Sequence, residues 1–256
     1  MAKAVKGDNL TRSIVLDLGS AIVTGKYTND AFPTEKELCL QYGAARTVLR
    51  EAVKMLTAKG LLSARPRRGT RVEDEDRWNL LDPDVLRWLL ERKFALDLLM
   101  EFTEMRLAVE PIAAGLAGRR GTPEQKAAIA DALERMRAAE QGEGDTLEAD
   151  ISFHLAILDA TGNRFYRQLK GMIETALRIS IQRTNRLMGI EKSETEVHSW
   201  VAEAILAGDE AAAQTRMRKL ITDLVELLEA EADAQRARRG LPDEFLTISS
   251  KGIITR

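Results

Sequence analysis

Apolar residues recur every four positions at Leu10, Ile14, Leu18 and Ile22. They predict a helix from Asn9 to Gly25 with one buried face, behind a frayed stretch at residues 1–8. Thr34 and Glu37 then form a T-x-x-E capping box after Pro33, which opens a second helix, and Gly43 breaks it. A third helix is predicted over residues 44–59, with Val48, Ala52, Met55 and Leu56 turned inward and Gly60 as its stop. Leu61-Leu62-Ser63 and Thr70-Arg71-Val72 flank Arg65-Pro66-Arg67-Arg68-Gly69, the pattern of a short antiparallel hairpin turning at Arg68-Gly69. Two helices around a tight break, then a basic hairpin, read as a helix-turn-helix followed by a wing.

Beyond this point the pattern is helical throughout. Glu73-Asp74-Glu75-Asp76 is a charge run and reads as a solvated linker. Asp82-Pro83 pairs an N-cap with a proline at the first helical position. A long helix is predicted over residues 95–119, and Thr122-Pro123-Glu124-Gln125 opens another that reaches Gln141. Further helices follow over 145–160, 163–188, 191–207 and 209–237, with Gly162-Asn163 and Gly208-Asp209 each pairing a terminating glycine with a capping residue. The fold class is mainly α: a winged helix-turn-helix with linker over 1–76, an all-helical bundle over 77–238, and a flexible tail over 239–256. A chain of 256 residues is long enough for two such cores.

Charge sharpens the division. Residues 1–72 hold 13 of the 38 Lys+Arg and 6 of the 40 Asp+Glu, so the remainder holds 25 against 34 and the overall −2 conceals a basic front on an acidic body. Only the front is suited to a polyanion. No segment approaches the ~18 apolar residues of a membrane span, and MAKAVKGDN lacks the apolar stretch of a signal peptide. A single cysteine, Cys39, forms no internal disulfide, which fits a cytoplasmic protein.

Arg46 and Arg50 lie four apart and project from one face near the start of the third helix, with Thr47 beside them. In a helix-turn-helix that turn enters the major groove, where arginine can grip O6 and N7 of guanine and Thr47 can donate to a phosphate or a base edge. Lys36, in the first turn of the preceding helix, is placed to meet the DNA backbone. Arg65, Arg67 and Arg68 on the wing would follow the minor groove or nearby phosphates, with Gly69 permitting close approach.

The chain has two histidines, His154 and His198. Asp150 and His154 are four apart and face the same way from one helix. D-x-x-x-H is a weak motif, and by spacing alone it reads first as a core histidine bonded to a carboxylate, then as part of a divalent-cation site. Arg106 and Arg178 sit among apolar neighbours. Each can clasp the carboxylate of an effector, or Arg106 can close an internal salt bridge with Glu110 or Glu174. A metal-dependent hydrolase or lyase using Asp150, His154 and His198 is the rival reading. Against it, the sequence has no H-E-x-x-H, no glycine-rich phosphate loop and no nucleophile with a recognisable partner set.

Phe32-Pro33-Thr34-Glu35-Lys36-Glu37-Leu38, Gly43-Ala44-Ala45-Arg46, Arg50-Glu51-Ala52, Leu56, Gly60-Leu61 and Gly69-Thr70-Arg71-Val72 together resemble the winged-helix signature of the GntR family of bacterial transcription regulators. The departures are Phe32 for leucine, Lys36 for arginine and Ala45 for a serine whose hydroxyl meets phosphate. Arg106-Leu107-Ala108-Val109-Glu110-Pro111, with Asp150 through Phe153-His154 and Thr161-Gly162-Asn163, resembles the FCD effector domain of that family's FadR branch. The stretch Trp78 to Trp88 is similar to the opening of regulators of the D-galactonate-repressor type, which control sugar-acid catabolism.

The resemblance implies a homodimeric, operator-binding repressor released by a small carboxylate such as a sugar acid, and no enzymatic activity. It also implies a divalent metal, zinc by preference, held by Asp150, His154 and His198. The branch's further metal-binding histidine falls where this chain has Leu220, which leaves three protein ligands and open positions.

Overall fold

The computed structural model describes residues 2–28, 32–65, 69–92, 96–188 and 195–239. The first helix, α1, runs Ala2–Val23, so it begins before the predicted start at Asn9 and includes most of the stretch expected to be frayed. Ile14, Val15, Leu18, Ile22 and Val23 are buried, while Leu10 keeps 36% of its surface exposed.

Helix α2 (Glu35–Tyr42) is opened by the predicted capping box: Thr34 Oγ1 accepts from the Glu37 N–H, and Glu37 accepts from the Thr34 N–H at 2.8 Å. Gly43 ends it at φ +57°, a left-handed conformation that costs glycine little. Helix α3 (Arg46–Ala58) buries Leu49, Ala52 and Leu56, whereas Met55, expected inside, is 43% exposed. At roughly 100° per residue, Val48 and Met55 fall about a quarter turn off that buried stripe.

Strands β1 (Leu62–Arg65) and β2 (Gly69–Val72) pair antiparallel in the register Leu62↔Val72 and Arg65↔Gly69. Arg67 and Arg68, with the predicted turn, lie outside the described residues, and of Arg65 only the backbone is described.

The acidic run after the wing is exposed over residues 74–76, as a solvated stretch should be, and it is also tied in place. Its chain makes a 3-10 turn at Glu75–Arg77, and the Trp78 indole donates to the Glu73 carbonyl at 3.0 Å. Arg92 donates to both Glu75 oxygens at 2.9 and 3.0 Å and stacks 5.2 Å from the Trp78 ring. Gly60 makes the close return possible: at φ +78° it lies under the Arg77 carbonyl, which a Cβ would meet at 2.3 Å.

Helix α4 (Pro83–Leu90) is capped by Asp82, as the sequence predicts. Val85, Trp88 and Leu89 enter the core built by α1, α2, α3 and β1, while Leu86 and Leu90 enter the core of the bundle. This one helix therefore serves both cores, across the expected boundary at residue 76.

The bundle continues with α5 (Leu96–Arg120), α6 (Pro123–Glu140), α7 (Thr146–Ala160), α8 (Arg164–Gln168), α9 (Lys170–Met188), α10 (Thr195–Ala207) and α11 (Glu210–Arg239). Helix α5 packs against α11, α7 and α10, and α4 rests on α1 and α9. The single helix predicted over 163–188 is two, broken at Leu169, where the chain stays in a right-handed conformation with neither glycine nor proline to announce the break. Gly171 follows closely, and its missing side chain lets α9 approach Pro83, whose Cγ a Cβ would meet at 3.3 Å. The predicted start of α10 at residue 191 and nearly all of the expected tail lie outside the described residues. Among the described residues, no helix is long and apolar enough to cross a membrane.

Candidate metal centre and nucleic-acid interface

Three helices converge on one buried polar cluster. Helix α7 contributes Asp150 and His154, and the i,i+4 spacing puts both on its inner face. His198 comes from α10, and α5 supplies Arg106 and Glu110, again four apart. His154 Nε2 lies 3.4 Å from Asp150 Oδ1, and His198 Nε2 lies 3.8 Å from Asp150 Oδ2. The imidazoles stand nearly perpendicular with centroids 5.6 Å apart, and Phe153 packs edge-on against both.

One donor atom from each of Asp150, His154 and His198 falls within 4.8 Å of the others. Ligands at ~2.0–2.1 Å around a tetrahedral centre stand about 3.4 Å apart. The donors are thus near the required spacing, and a borderline divalent cation suits one carboxylate with two imidazoles. Leu220, where the resemblance leads us to expect a fourth donor, is a partly buried side chain packed on the bundle core and offers no ligand.

Behind this cluster lies an ion pair that sequence spacing only half reveals. Arg106 Nε donates to Glu110 Oε1 at 2.5 Å and Nη2 donates to Oε2 at 3.3 Å, with both side chains 2% exposed. The internal salt bridge is therefore what the Arg106 guanidinium forms, and its partner is Glu110 rather than Glu174. Glu110 Oε2 also lies 2.7 Å from His154 Nδ1, at bonding distance although the ring N–H points off the line to the oxygen. No signal in the sequence joins Glu110 to a histidine on another helix.

Burial pushes the Glu110 carboxyl up, but Arg106 and His154 outweigh it and hold it at about 2. Burial lowers His154, yet Glu110 and Asp150 overcome this and raise it to about 9. Asp150 is pushed up by burial and, on balance, held below its usual range by His154 and His198. Without a metal the cluster thus keeps a proton on His154 between two carboxylates, and a divalent cation would take that proton's place.

Arg178 is elsewhere in character. It pairs with Glu148 and, at 3.5 Å, with Glu174, and all three side chains are at least a third exposed. Such a pair is readily exchanged for another carboxylate.

On the amino-terminal unit, the first turns of α3 present Arg46, Thr47 and Arg50 to solvent, with the two arginine side chains 73% and 64% exposed. Glu35, in the first turn of α2, lies between them: Arg50 Nε donates to its Oε2 at 2.9 Å, and Arg46 Nε lies 3.8 Å from Oε1. Lys36 is exposed beside Glu35, and Gly69 is exposed at the start of β2. Sequence spacing gives the two arginines a common face, but it does not single out Glu35 as their shared counterion.

Residues 10–72 match the family described as bacterial regulatory proteins, gntR family, and residues 101–223 match the FCD domain. The chain is 38% identical over 177 residues to the galactonate operon transcriptional repressor of Escherichia coli K12, spanning 69% of this chain and 77% of that protein. It is 32% identical over 208 residues to the HTH-type transcriptional regulator YieP of the same organism, spanning 80% of this chain and 89% of that protein. A solved structure of Lar, described as controlling the expression of the Listeria monocytogenes agr system, aligns with a TM-score of 0.55 at 17% identity. That alignment covers 86% of this chain and 96% of the other, a likeness of fold alone.

Proposed function

This chain belongs to the GntR family of bacterial transcription regulators and carries the FCD domain; from that premise we propose that it is a homodimeric repressor released from its operator by a small carboxylate. It is a regulator and not an enzyme, and the hydrolase or lyase reading finds no support among its relatives.

Residues 1–76 hold DNA in this reading. Arg46 and Arg50 take base edges in the major groove, Thr47 and Lys36 take phosphate or a base edge, and the wing with Arg65, Arg67, Arg68 and Gly69 follows the neighbouring backbone. Two copies would address the two halves of a palindrome. The observation that carries the reading is the exposure of Arg46, Thr47 and Arg50 together on the first turns of α3.

Residues 77–238 sense the effector and dimerise. Asp150, His154 and His198 would hold a divalent ion, zinc by preference, and the ion would supply a positive centre for the effector carboxylate where protein ligands are lacking. Of the two arginines suited to clasp that acid, Arg178 is free to exchange its exposed partners, while Arg106 is committed to Glu110. The name of the galactonate operon repressor makes sugar acids the first effectors to test. Release requires the effector to favour the DNA-incompetent arrangement by ~3 kcal/mol, roughly a hundredfold in affinity. Helix α4, with a face in each core, is the route by which that preference would reach α3.

A gel shift on the promoter of the chain's own gene tests the whole. Retention should fall with salt, vanish in the Arg46→Ala/Arg50→Ala variant, and be released by galactonate or a related sugar acid. Retention that survives the double substitution would refute the assignment of the reading face.

A further inference from the structure

Among the described residues, the buried titratable groups are the three proposed ligands and the Arg106–Glu110 pair. A buried guanidinium–carboxylate pair is an expensive feature of a helical bundle, because apolar residues of similar volume often stabilise as well or better. Its placement suggests what it does. Glu110 uses one face on the guanidinium of Arg106 and directs Oε2 to the Nδ1 edge of His154, 2.7 Å away. The opposite edge of that ring, Nε2, is the one turned to Asp150 at 3.4 Å. The two nitrogens of His154 are thereby divided, one for α5 and one for the cluster.

We propose that Glu110 is a positioning residue for the metal centre: it claims Nδ1 of His154, fixes the ring so that Nε2 faces Asp150 and His198, and is itself held by Arg106. This rests on the metal reading given above and assigns roles behind the ligands. A histidine ligand commonly donates its second N–H to a carboxylate, which fixes the tautomer and makes the coordinating nitrogen more basic. Here that support matters more than usual. With a donor set of three residues, the orientation and basicity of each carry a larger share.

The arrangement also reassigns Arg106. Its guanidinium is 2% exposed and engaged through Nε and Nη2 with one carboxylate. Its contribution is to hold Glu110 aimed at the ring, one step removed from both ion and effector. Pro111 follows directly and removes one helical N–H from the turn that presents Glu110.

The test uses the full-length protein and Glu110→Gln, which keeps the shape and an acceptor oxygen but loses the charge. Zinc affinity, measured by competition with a chromophoric chelator, should fall at least tenfold, within the range seen when outer-shell partners of metal ligands are removed. The visible spectrum of the Co²⁺-loaded protein should change with it, a signature that a purely structural pair would not move. Zinc affinity within twofold of wild type with an unchanged Co²⁺ spectrum would overturn the proposal. Arg106→Met/Glu110→Gln guards against misfolding, since it leaves no unpaired buried cation while keeping the acceptor, and it should show the same loss.

The imidazole nitrogens of the zinc-free protein give a reading independent of metal. The chain has only two histidines, so His154 is assigned by comparison with His198→Gln. Its Nδ1 resonance should shift in Glu110→Gln, and an unmoved Nδ1 sinks the proposal. If wild type took up none of Zn²⁺, Co²⁺, Ni²⁺ or Mn²⁺, the metal reading itself would fail, while the nitrogen resonances would still decide whether Glu110 orients the ring.

Discussion

Lys59, the residue that closes α3, donates through Nζ to both carboxylate oxygens of Asp82 at 2.8 Å, and Asp82 is the N-cap of α4. The same ammonium reaches Asp84 in the first turn of α4 at 2.9 Å. The helix bearing Arg46 and Arg50 is thus fastened at its far end to the helix that enters the bundle core. A second tie runs through the backbone, where the Asn79 N–H donates to the Lys59 carbonyl at 3.0 Å.

Lys59→Met should therefore do two separable things. Loss of a half-buried, multiply bonded ammonium should lower stability by about 1–2 kcal/mol, read as a shifted denaturant midpoint. It should also weaken effector-driven release while leaving operator affinity of the effector-free protein within a few-fold. Unimpaired release would remove the Lys59–Asp82 tie from the coupling route.

Gly19 on α1 makes room for Trp88 on α4: a Cβ there would lie 2.2 Å from the buried indole. Gly19→Ala should force that ring to move and cost about 1–3 kcal/mol, as overpacked cores do. Trimming the ring in Gly19→Ala/Trp88→Leu should recover part of the loss in a double-mutant cycle. Strictly additive unfolding energies would show that the two residues are not coupled.

Arg46→Ala and Arg50→Ala should each weaken the specific complex roughly ten- to a hundredfold and reduce its salt slope by about one. Glu35→Gln, by contrast, removes the carboxylate between those arginines. It should raise affinity for random-sequence DNA and lower the ratio of specific to non-specific binding. Binding titrations over a range of salt read both effects, and a raised specificity ratio in Glu35→Gln would contradict the role given to that carboxylate.

Metal removal should be visible as stability. Free zinc at a hundred times Kd contributes about 2.7 kcal/mol to the folded state, so chelation should lower the unfolding temperature of wild type by several degrees. Asp150→Asn should lose most of that difference. Leu220→His should enlarge it by restoring a fourth donor, and an unchanged zinc affinity there would show that position 220 does not face the ion.

Much of this was legible in the chain because the governing rules act within a turn or two. Thr34 with Glu37, Asp82 with Pro83, and Thr122 with Gln125 open helices where the structure opens them, since a cap needs only neighbours three residues away. Asp150 and His154 share a face for the same reason. The misjudgements sit where packing outranks pattern. Met55 is apolar yet exposed, a quarter turn off the stripe that α3 buries, and Leu10 stays partly exposed at the end of its stripe; the break at Leu169 has no glycine or proline at the break itself.

The order of residues alone settled the caps, the break at Gly43, the common face of Arg46 and Arg50, and the carboxylate and imidazole presented together by α7. For His198, spacing was silent and only the resemblance placed it with them; tertiary structure alone decided that Glu110 stands behind His154, that Glu35 lies between the two exposed arginines, and that α4 belongs to both cores. The division has a physical cause. Hydrogen bonds along one helix are fixed by a periodicity written in the chain, whereas contacts between helices depend on the angle and depth at which whole faces pack, and many sequence positions set those jointly.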